Sequence, residues 1–414
     1  MSSSLTIRPM RADDDLDAEI DLRHRAFGPM DGADRQYWRD EMLTRIAAGA
    51  QYGAWDDGQL IGSARYYRMW QYWHGRPVPM AGVGGVKVAP EARGGGIGRA
   101  LMTELLGVLA RGGFALSVLF PATLRIYRSL GWELAGSRFR VKLPVRSLVS
   151  LAPADPEVPE TPGEPSGQVR PRRAGPGDAD EVIAVLRAVY ATARECGPTV
   201  RDPEGFRRLL GQPDLFAYLA PDGFLAYGWH GDGHDEIMIR ALAAASADTA
   251  RALWGVVASH TSATRVVYAI SGPADPVGWL LSERDISLSR DEQWMLRVLD
   301  PVVAVGARGL PATAQAAVPM RLADPDLPGN AGLYTLEVAD GRGALSPSSG
   351  PTVPGAHSHR EEPVGFGPRG FAALYAGVAM ATLRAAGLAA GGGPASDAVL
   401  DAVFAAQPYM LDRF

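Results

Sequence analysis

The chain has 414 residues, 47% hydrophobic and 21% charged, with a formal net charge of -5. That length suits two to three domains, the composition excludes wholesale disorder, and the mild acidity predicts no general attraction to nucleic acid or anionic membrane. The lone cysteine, Cys196, excludes intrachain disulfides, CxxC redox pairs, Cys-rich zinc sites and cysteine-bound iron–sulfur clusters. Met1 to Leu5 lacks the basic-then-apolar order of a secretory signal. The most apolar stretch, Gly370 to Ala390, is rich in Ala and Gly, with Arg369 and Arg384, and reads as a small-residue core helix rather than a span. The expectation is a cytoplasmic protein with neither nucleic-acid nor membrane partner. Lysine occurs only at 87 and 142, so arginine carries nearly all the positive charge.

In chain order, Ile7-Arg8-Pro9-Met10-Arg11-Ala12 opens a first module, and Leu16 to Phe27 is an amphipathic helix. Strands are expected at Tyr52–Trp55 and Leu60–Tyr67, around an Asp56-Asp57-Gly58 turn, and at Val83–Val88. Gly98 to Ala110 is a helix, Ala115–Phe120 a strand, Thr123–Leu130 a short helix and Ser137–Leu143 a last strand. Prolines then recur every third residue from Pro153 to Pro165 with acidic residues between them. Three residues per turn puts those prolines on one face of a polyproline II strut, or else the stretch is an acidic linker. Val169-Arg170-Pro171-Arg172-Arg173-Ala174 repeats the opening of the first module, and the helix Ala179–Ala193 follows, which suggests a duplicated unit. The remainder differs, with a strand-like run Leu333–Val338, turn chemistry at Gly341-Arg342-Gly343, a Gly/Pro/Ser-rich loop at 346–356 and Ala-rich helices at 369–387 and 395–406. The boundaries are 1–150, a 151–168 linker, 169–299 and 300–414. The fold class is α/β to α+β: two mixed-sheet modules and a C-terminal α+β domain.

The chemistry-bearing segment runs from Val83 to Leu101. A β run ends at Pro90, a loop carries Arg93-Gly94-Gly95-Gly96-Ile97-Gly98, and a helix begins at once. Such glycines let several N–H groups converge, and a helix N-terminus favours anions, so the loop suits a pyrophosphate, with Arg93 and Arg99 adding charge. Read alone, it is as good a flexible strand-to-helix turn. A GxxxxGK[ST] loop is absent, and the order is not that of a dinucleotide fingerprint.

Arg93-Gly94-Gly95-Gly96-Ile97-Gly98 resembles the R/Q-x-x-G-x-G/A acetyl-CoA loop of the GCN5-related N-acetyltransferases. Val86-Lys87-Val88 sits where that family's strand runs beside the pantetheine arm. Tyr127-Arg128-Ser129-Leu130-Gly131-Trp132-Glu133 resembles the family's Y-x-x-x-G-F/W-E ending. Two such modules, a sterol-carrier-like third domain and a terminal Phe414 are together similar to the enhanced-intracellular-survival (Eis) family. The resemblance implies acetyl-CoA as co-substrate without a metal, bound by Val86, Lys87, Val88, the Arg93–Gly98 loop, Arg99, Ala122 and Thr123. The Val86 N–H would polarise the thioester carbonyl. It further implies Tyr127 as general acid, the Phe414 terminal carboxylate as base, a primary-amine acceptor and a homohexamer.

Acetyl transfer to an amine needs a deprotonated amine, a stabilised oxyanion and a protonated leaving thiolate. A tyrosine with an ordinary pKa near ~10 suits the last task. No His or Glu of the first module stands out as base; His24 and His74 read as solvated or core residues. Phe27 and Trp38, with Tyr37 and Met30, are candidate walls of the acceptor pocket or ordinary core. In the Eis resemblance an acid two residues past the Phe binds polyamine-like substrates, but Pro29 stands there, with Asp31 two further on. The penultimate residue is Arg413. Both departures argue against a strongly polycationic acceptor. The second module lacks the R-x-x-G-x-G loop and reads as scaffold and pocket wall. His230-Gly231-Asp232-Gly233-His234-Asp235 and His357-Ser358-His359 with Glu361 and Glu362 lie in loops without metal-ligand spacing. Alternatives are a lipid- or acyl-CoA-binding protein without catalysis, and an acyltransferase with a longer acyl-CoA admitted beside Gly84 and Gly85.

Overall fold

A computed structural model of the chain describes residues 5–29, 32–149, 151, 169–231, 233–273, 276–282, 285–348 and 362–414, the side chains of residues 33 and 34 excepted. The proline-rich stretch, most of the 346–356 loop, Met30, Asp31, Asp232 and the His357–Glu361 motif lie outside the described residues.

The chain opens with β1 (Thr6–Pro9), α1 (Leu16–Phe27) and α2 (Gly32–Ala47). Asp15 caps α1 by accepting from the N–H groups of Asp17 and Ala18. Next come β2 (Gln51–Asp56), β3 (Gln59–Trp73) and β4 (Arg76–Val88). Their two tight turns place Asp57-Gly58 and His74-Gly75 at positive φ, as two-residue hairpins require. Strands β3 and β4 are far longer than their apolar runs suggest, because pairing carries them past their polar residues. Then follow α3 (Ile97–Arg111), β5 (Leu116–Leu119), α4 (Leu124–Arg128) and β6 (Glu133–Pro144). Leu101, Met102, Leu105, Leu106 and Leu109 form the buried stripe of α3.

The chain continues with β7 (Arg172–Ala174), α5 (Ala179–Thr192), β8 (Thr199–Arg201), α6 (Pro203–Leu210), β9 (Phe216–Ala220), β10 (Gly223–His230) and β11 (Glu236–Ala244). After these come α7 (Ala247–Ala258), β12 (Val266–Ser271), α8 (Val277–Leu280) and β13 (Ser287–Val298). The C-terminal part has α9 (Pro301–Ala307), β14 (Ala316–Leu322), β15 (Gly332–Ala339), β16 (Arg342–Pro347) and β17 (Val364–Phe366). It closes with α10 (Pro368–Tyr375), α11 (Met380–Ala385), β18 (Ala389–Ala390) and α12 (Pro394–Phe404). The single helix expected over 369–387 is two helices: Gly377 lies at φ +90°, and a Cβ there would meet the Ala406 backbone at 2.7 Å. The turn expected at Gly341–Gly343 falls on Asp340-Gly341, and Arg342 already belongs to β16.

The strand order is β1-β2-β3-β4-β5-β13-β6-β12-β11-β10-β9-β7, with β8 added against β3, and a separate sheet runs β16-β15-β14-β17-β18. The borders at 150 and 299 therefore do not divide the large sheet. Strand β13, late in the chain, lies between β5 and β6, and β6 continues into pairing with β12. One apolar core joins Trp73, Met80 and Val118 to Leu336, Phe371 and Tyr375, so the C-terminal part packs directly on the first module. The Gly370–Ala390 stretch buries Phe371, Leu374, Met380 and Leu383 in that core, and no described helix is long and apolar enough to cross a membrane.

Candidate active site

The site begins where two parallel strands part. β4 and β5 pair from Met80↔Leu116 to Val83↔Leu119. β5 then ends, and Pro121 has no N–H with which to extend the ladder. The β5-facing edge of β4 is left open from Gly84 to Val88, and Val86 lines the cavity there. Sequence alone placed Lys87 with the cofactor groups, but its side chain turns the other way. Lys87 Nζ donates to Glu19 Oε1 at 2.6 Å, with both side chains buried. Glu19 Oε1 also accepts from Ser63 at 3.1 Å and Gln51 at 3.3 Å. Burial pulls the ammonium down to about 8 against the opposing charge of Glu19. Only the backbone of Lys87 remains for a ligand.

The glycine loop has the room a pyrophosphate needs. Gly94 and Gly96 lie at φ +84° and +80°, and a Cβ on either would meet nothing within 4 Å. Gly96 caps α3 without a side-chain hydrogen bond, so the first-turn N–H groups stay available to an anion. Gly98 is the packed position, where a Cβ would lie 3.1 Å from Ile126 Cδ1 and 3.5 Å from Val88 Cγ2. These residues fit the diphosphate of a coenzyme A thioester. The Arg93 Nε reaches back to the Val88 carbonyl at 3.3 Å. Arg99 is spent locally, donating to the Ser129 carbonyl at 3.0 Å and to its hydroxyl. Thr123 precedes α4 without a capping bond, and Ala122 is exposed beside it.

Tyr127 sits on α4, 6% exposed, and borders the same cavity. Its carbonyl accepts from Leu130 and Trp132, and Gly131, at φ +87°, makes that turn possible. Arg297 Nε locks the turn through the Leu130 carbonyl at 3.1 Å. Burial pushes the Tyr127 hydroxyl up to about 12, so it holds its proton at neutral pH.

Phe414 reaches this point from the far end of the chain. The tail passes between the two modules: Ser137 N–H donates to the Pro408 carbonyl at 3.5 Å, and Tyr409 N–H to the Cys196 carbonyl at 3.1 Å. Asp412 accepts from Arg201 at 2.9 Å and from the Thr199 hydroxyl at 2.5 Å. Arg413 pairs with Glu292 at 3.1 Å. The Phe414 ring lies 5.7 Å from Phe120 and 6.3 Å from Tyr67, centroid to centroid. A Cβ at Gly84 would be 2.7 Å from the Phe414 carbonyl carbon and oxygen. A Cβ at Gly85 would collide with Arg65 Nη1. The space expected there for a longer acyl chain is thus filled by Phe414 and Arg65.

Phe27 and Trp38 both line the cavity, Phe27 exposed and Trp38 half-buried, and the Tyr37 hydroxyl accepts a hydrogen bond from Gln212 Nε2 at 3.0 Å. His74 is a tether, with Nε2 2.7 Å from the Ala405 carbonyl and its pKa lowered chiefly by burial. Neither His24 nor His74 lines the cavity, and no group of His, Cys, Asp or Glu among the described residues is arranged to hold a metal. Sequence reasoning missed Arg45, Arg65, Arg138, Arg201 and Glu41, all of which face the cavity. No local pattern marks them. Arg201 arrives only because β8 pairs with β3, and Arg138 because β6 lies between β13 and β12.

Acetyltransferase (GNAT) domain families match residues 6–135 and again 197–298, and the sterol carrier protein domain matches 281–411. The last two overlap on β13, the strand shared between modules. The chain is 26% identical over 325 residues to N-acetyltransferase Eis of Mycobacterium tuberculosis, covering 75% of this chain and 77% of that protein. The crystal structure of a GCN5-related N-acetyltransferase from Kribbella flavida matches with a TM-score of 0.88 at 37% identity, covering 100% of this chain and 99% of that one. Eis1 from Mycobacterium abscessus shares the fold, with a TM-score of 0.72 at 23% identity over 99% of this chain and 100% of that one. An acetyltransferase fold, a glycine loop at a helix N-terminus and these relatives agree: the chain, similar to the Eis proteins, belongs to the GCN5-related N-acetyltransferases and is an N-acetyltransferase.

Proposed function

We propose that the chain transfers acetyl from acetyl-CoA to a primary amine by direct attack, with Tyr127 as general acid and the Phe414 carboxylate as base. The observation that carries this reading is one cavity of about 880 Å³ bordered by Val86, Tyr127 and Phe414 together. Acetyl-CoA supplies the activated acyl group. The amine nitrogen forms the new bond to the acetyl carbon, and the carbon–sulfur bond breaks. Tyr127 delivers its proton to the departing sulfur, and its raised pKa keeps that proton available. The Phe414 carboxylate orients the ammonium and accepts its proton, directly or through water. An ordinary α-carboxylate, with a pKa near ~3.5, is a weak base, so orientation is the larger part of its task. The backbone N–H of Val86 faces the thioester oxygen. The glycine loop holds the diphosphate. The residues 169–299 act as scaffold and wall, and the 300–414 part delivers the tail. The homohexamer is carried over from the Eis resemblance; the cytoplasmic location is an expectation from the sequence.

Thiol release from acetyl-CoA across a panel of amines tests the reading, using protein that ends at Phe414 and protein extended by a few residues. Turnover lost on extension while acetyl-CoA still binds supports both the transfer and the carboxylate. Equal turnover in the two forms removes Phe414 from the mechanism.

A further inference from the structure

The cavity is unusually cationic for a site expected to receive an amine. Nine arginines line it, against four acidic side chains. Each of those acids is already committed. Glu41 pairs with Arg45 at 3.1 Å and Arg208 at 2.9 Å. Glu292 pairs with Arg138 at 3.4 Å and Arg413 at 3.1 Å. Asp412 is held by Arg201 and Thr199, and Asp202 caps α6 by accepting from the Gly205 N–H at 2.7 Å.

Several donors are left over, and they cluster. Trp38 has the guanidinium carbons of Arg65, Arg23 and Arg45 at 4.6, 4.7 and 5.0 Å from its ring centroid. Its indole N–H is buried without a partner. Arg65 is 9% exposed and, among the described residues, has no carboxylate partner; its Nε donates to the Tyr67 hydroxyl at 2.7 Å. Arg23 likewise has no carboxylate partner among the described residues. Burial alone would raise the Tyr67 hydroxyl, yet the charges of Arg65 and Arg45 and the hydrogen bond from Arg65 hold it below its ordinary value. That is the mark of an unneutralised positive field. The coenzyme phosphates do not account for it, since none of Arg93 to Gly98 lines this cavity.

We propose that the acceptor is an amine carrying its own carboxylate or phosphate, and that this anion docks on Arg65 and Arg23 beside the Trp38 N–H while the amine faces Phe414. The proposal rests on the acetyl-transfer reading of the cavity and names its substrate class. The geometry suits it. Arg65 packs over Gly85 and the Phe414 carboxyl over Gly84, so a cation and an anion stand over consecutive residues of β4. A zwitterionic acceptor matches both. A polycation would find its acidic partners already paired and would face the uncommitted guanidiniums directly.

Matched substrates test this: lysine against cadaverine for a carboxylate, glucosamine 6-phosphate against glucosamine for a phosphate. Thiol release should favour the acid-bearing member of at least one pair by about ten- to a hundredfold in kcat/KM, as for a charge-assisted hydrogen bond at a desolvated site. The favoured pair distinguishes carboxylate from phosphate. In Arg65→Leu the ratio should fall toward one through a rise in KM. Trp38→Phe, which keeps an aromatic ring and removes the N–H, should lower the ratio in the same direction and serves if Arg65→Leu does not fold. Equal or better turnover of cadaverine and glucosamine overturns the anion site while leaving the acetyltransferase intact. An unchanged ratio in folded Arg65→Leu overturns it too. Calorimetric binding of the acid-bearing members to CoA-loaded protein separates the two readings. Binding that depends on Arg65 with no thiol release from any amine keeps the anion site and defeats the proposed transfer.

Discussion

Replacing Gly84 by alanine probes the tail without touching the tail. The added Cβ would lie 2.7 Å from both the carbonyl carbon and the oxygen of Phe414. Non-bonded carbons settle near ~3.5 Å or more, so the carboxyl must retreat by roughly 1 Å. A misplacement of that size at a reacting group costs up to about a hundredfold in rate. Gly84 lies outside the left-handed region, so alanine adds no backbone strain, and strand stability should hold or rise by about 0.5–1 kcal/mol. The expected result is turnover down about ten- to a hundredfold, with acetyl-CoA affinity and melting temperature maintained. Thiol release gives the rate, calorimetry the affinity, and a melting curve the fold. Gly82→Ala, whose Cβ would press on the Phe414 ring at 2.8 Å, should act in the same direction. Full turnover in Gly84→Ala would show that the seated carboxyl has no part in the chemistry.

Tyr127→Phe should lower kcat by about 10²- to 10⁴-fold and leave acetyl-CoA binding unchanged; unaltered kcat would dismiss it as the acid. Because burial raises its pKa to about 12, the acid form persists at lower pH and is lost only as pH climbs through that value. The kcat profile should accordingly show no alkaline fall from this group below about pH 11, where an ordinary tyrosine would already be ionised. Gly98→Glu should abolish acetyl-CoA binding, since a side chain there meets Ile126 and Val88 and brings negative charge to the phosphate site; retained affinity would refute the loop assignment. Lys87→Met leaves Glu19 buried without its cation and should cost about 3–5 kcal/mol in denaturant unfolding, most of it restored by adding Glu19→Gln.

The glycine loop, the α3 stripe and the short Tyr127 helix were legible as structure because each is local: a few residues in a row carry the conformation. The terminal Phe was legible only through family resemblance, since nothing in Tyr409-Met410-Leu411 says where the tail lands. The direction of the Lys87 side chain was not legible because a strand motif names positions, not faces. Outside the irregular register near Gly85, successive side chains on β4 point to opposite sides, and Glu19, distant in sequence, claims that of Lys87.

By itself the sequence determined the helices with clean apolar periodicity, the open glycine cradle and the duplicated character of the chain, all of which depend on neighbours within a few residues. The tertiary structure alone decided that β13 completes the first module's sheet, that β8 brings Arg201 to Asp412, and that Gly82 and Gly84 make a seat for Phe414. It also decided the charge of the cavity. A net charge of -5 over the whole chain gives no hint of nine arginines around one cavity. Hydrogen bonding between distant strands sets which charges meet, and no local pattern encodes that pairing.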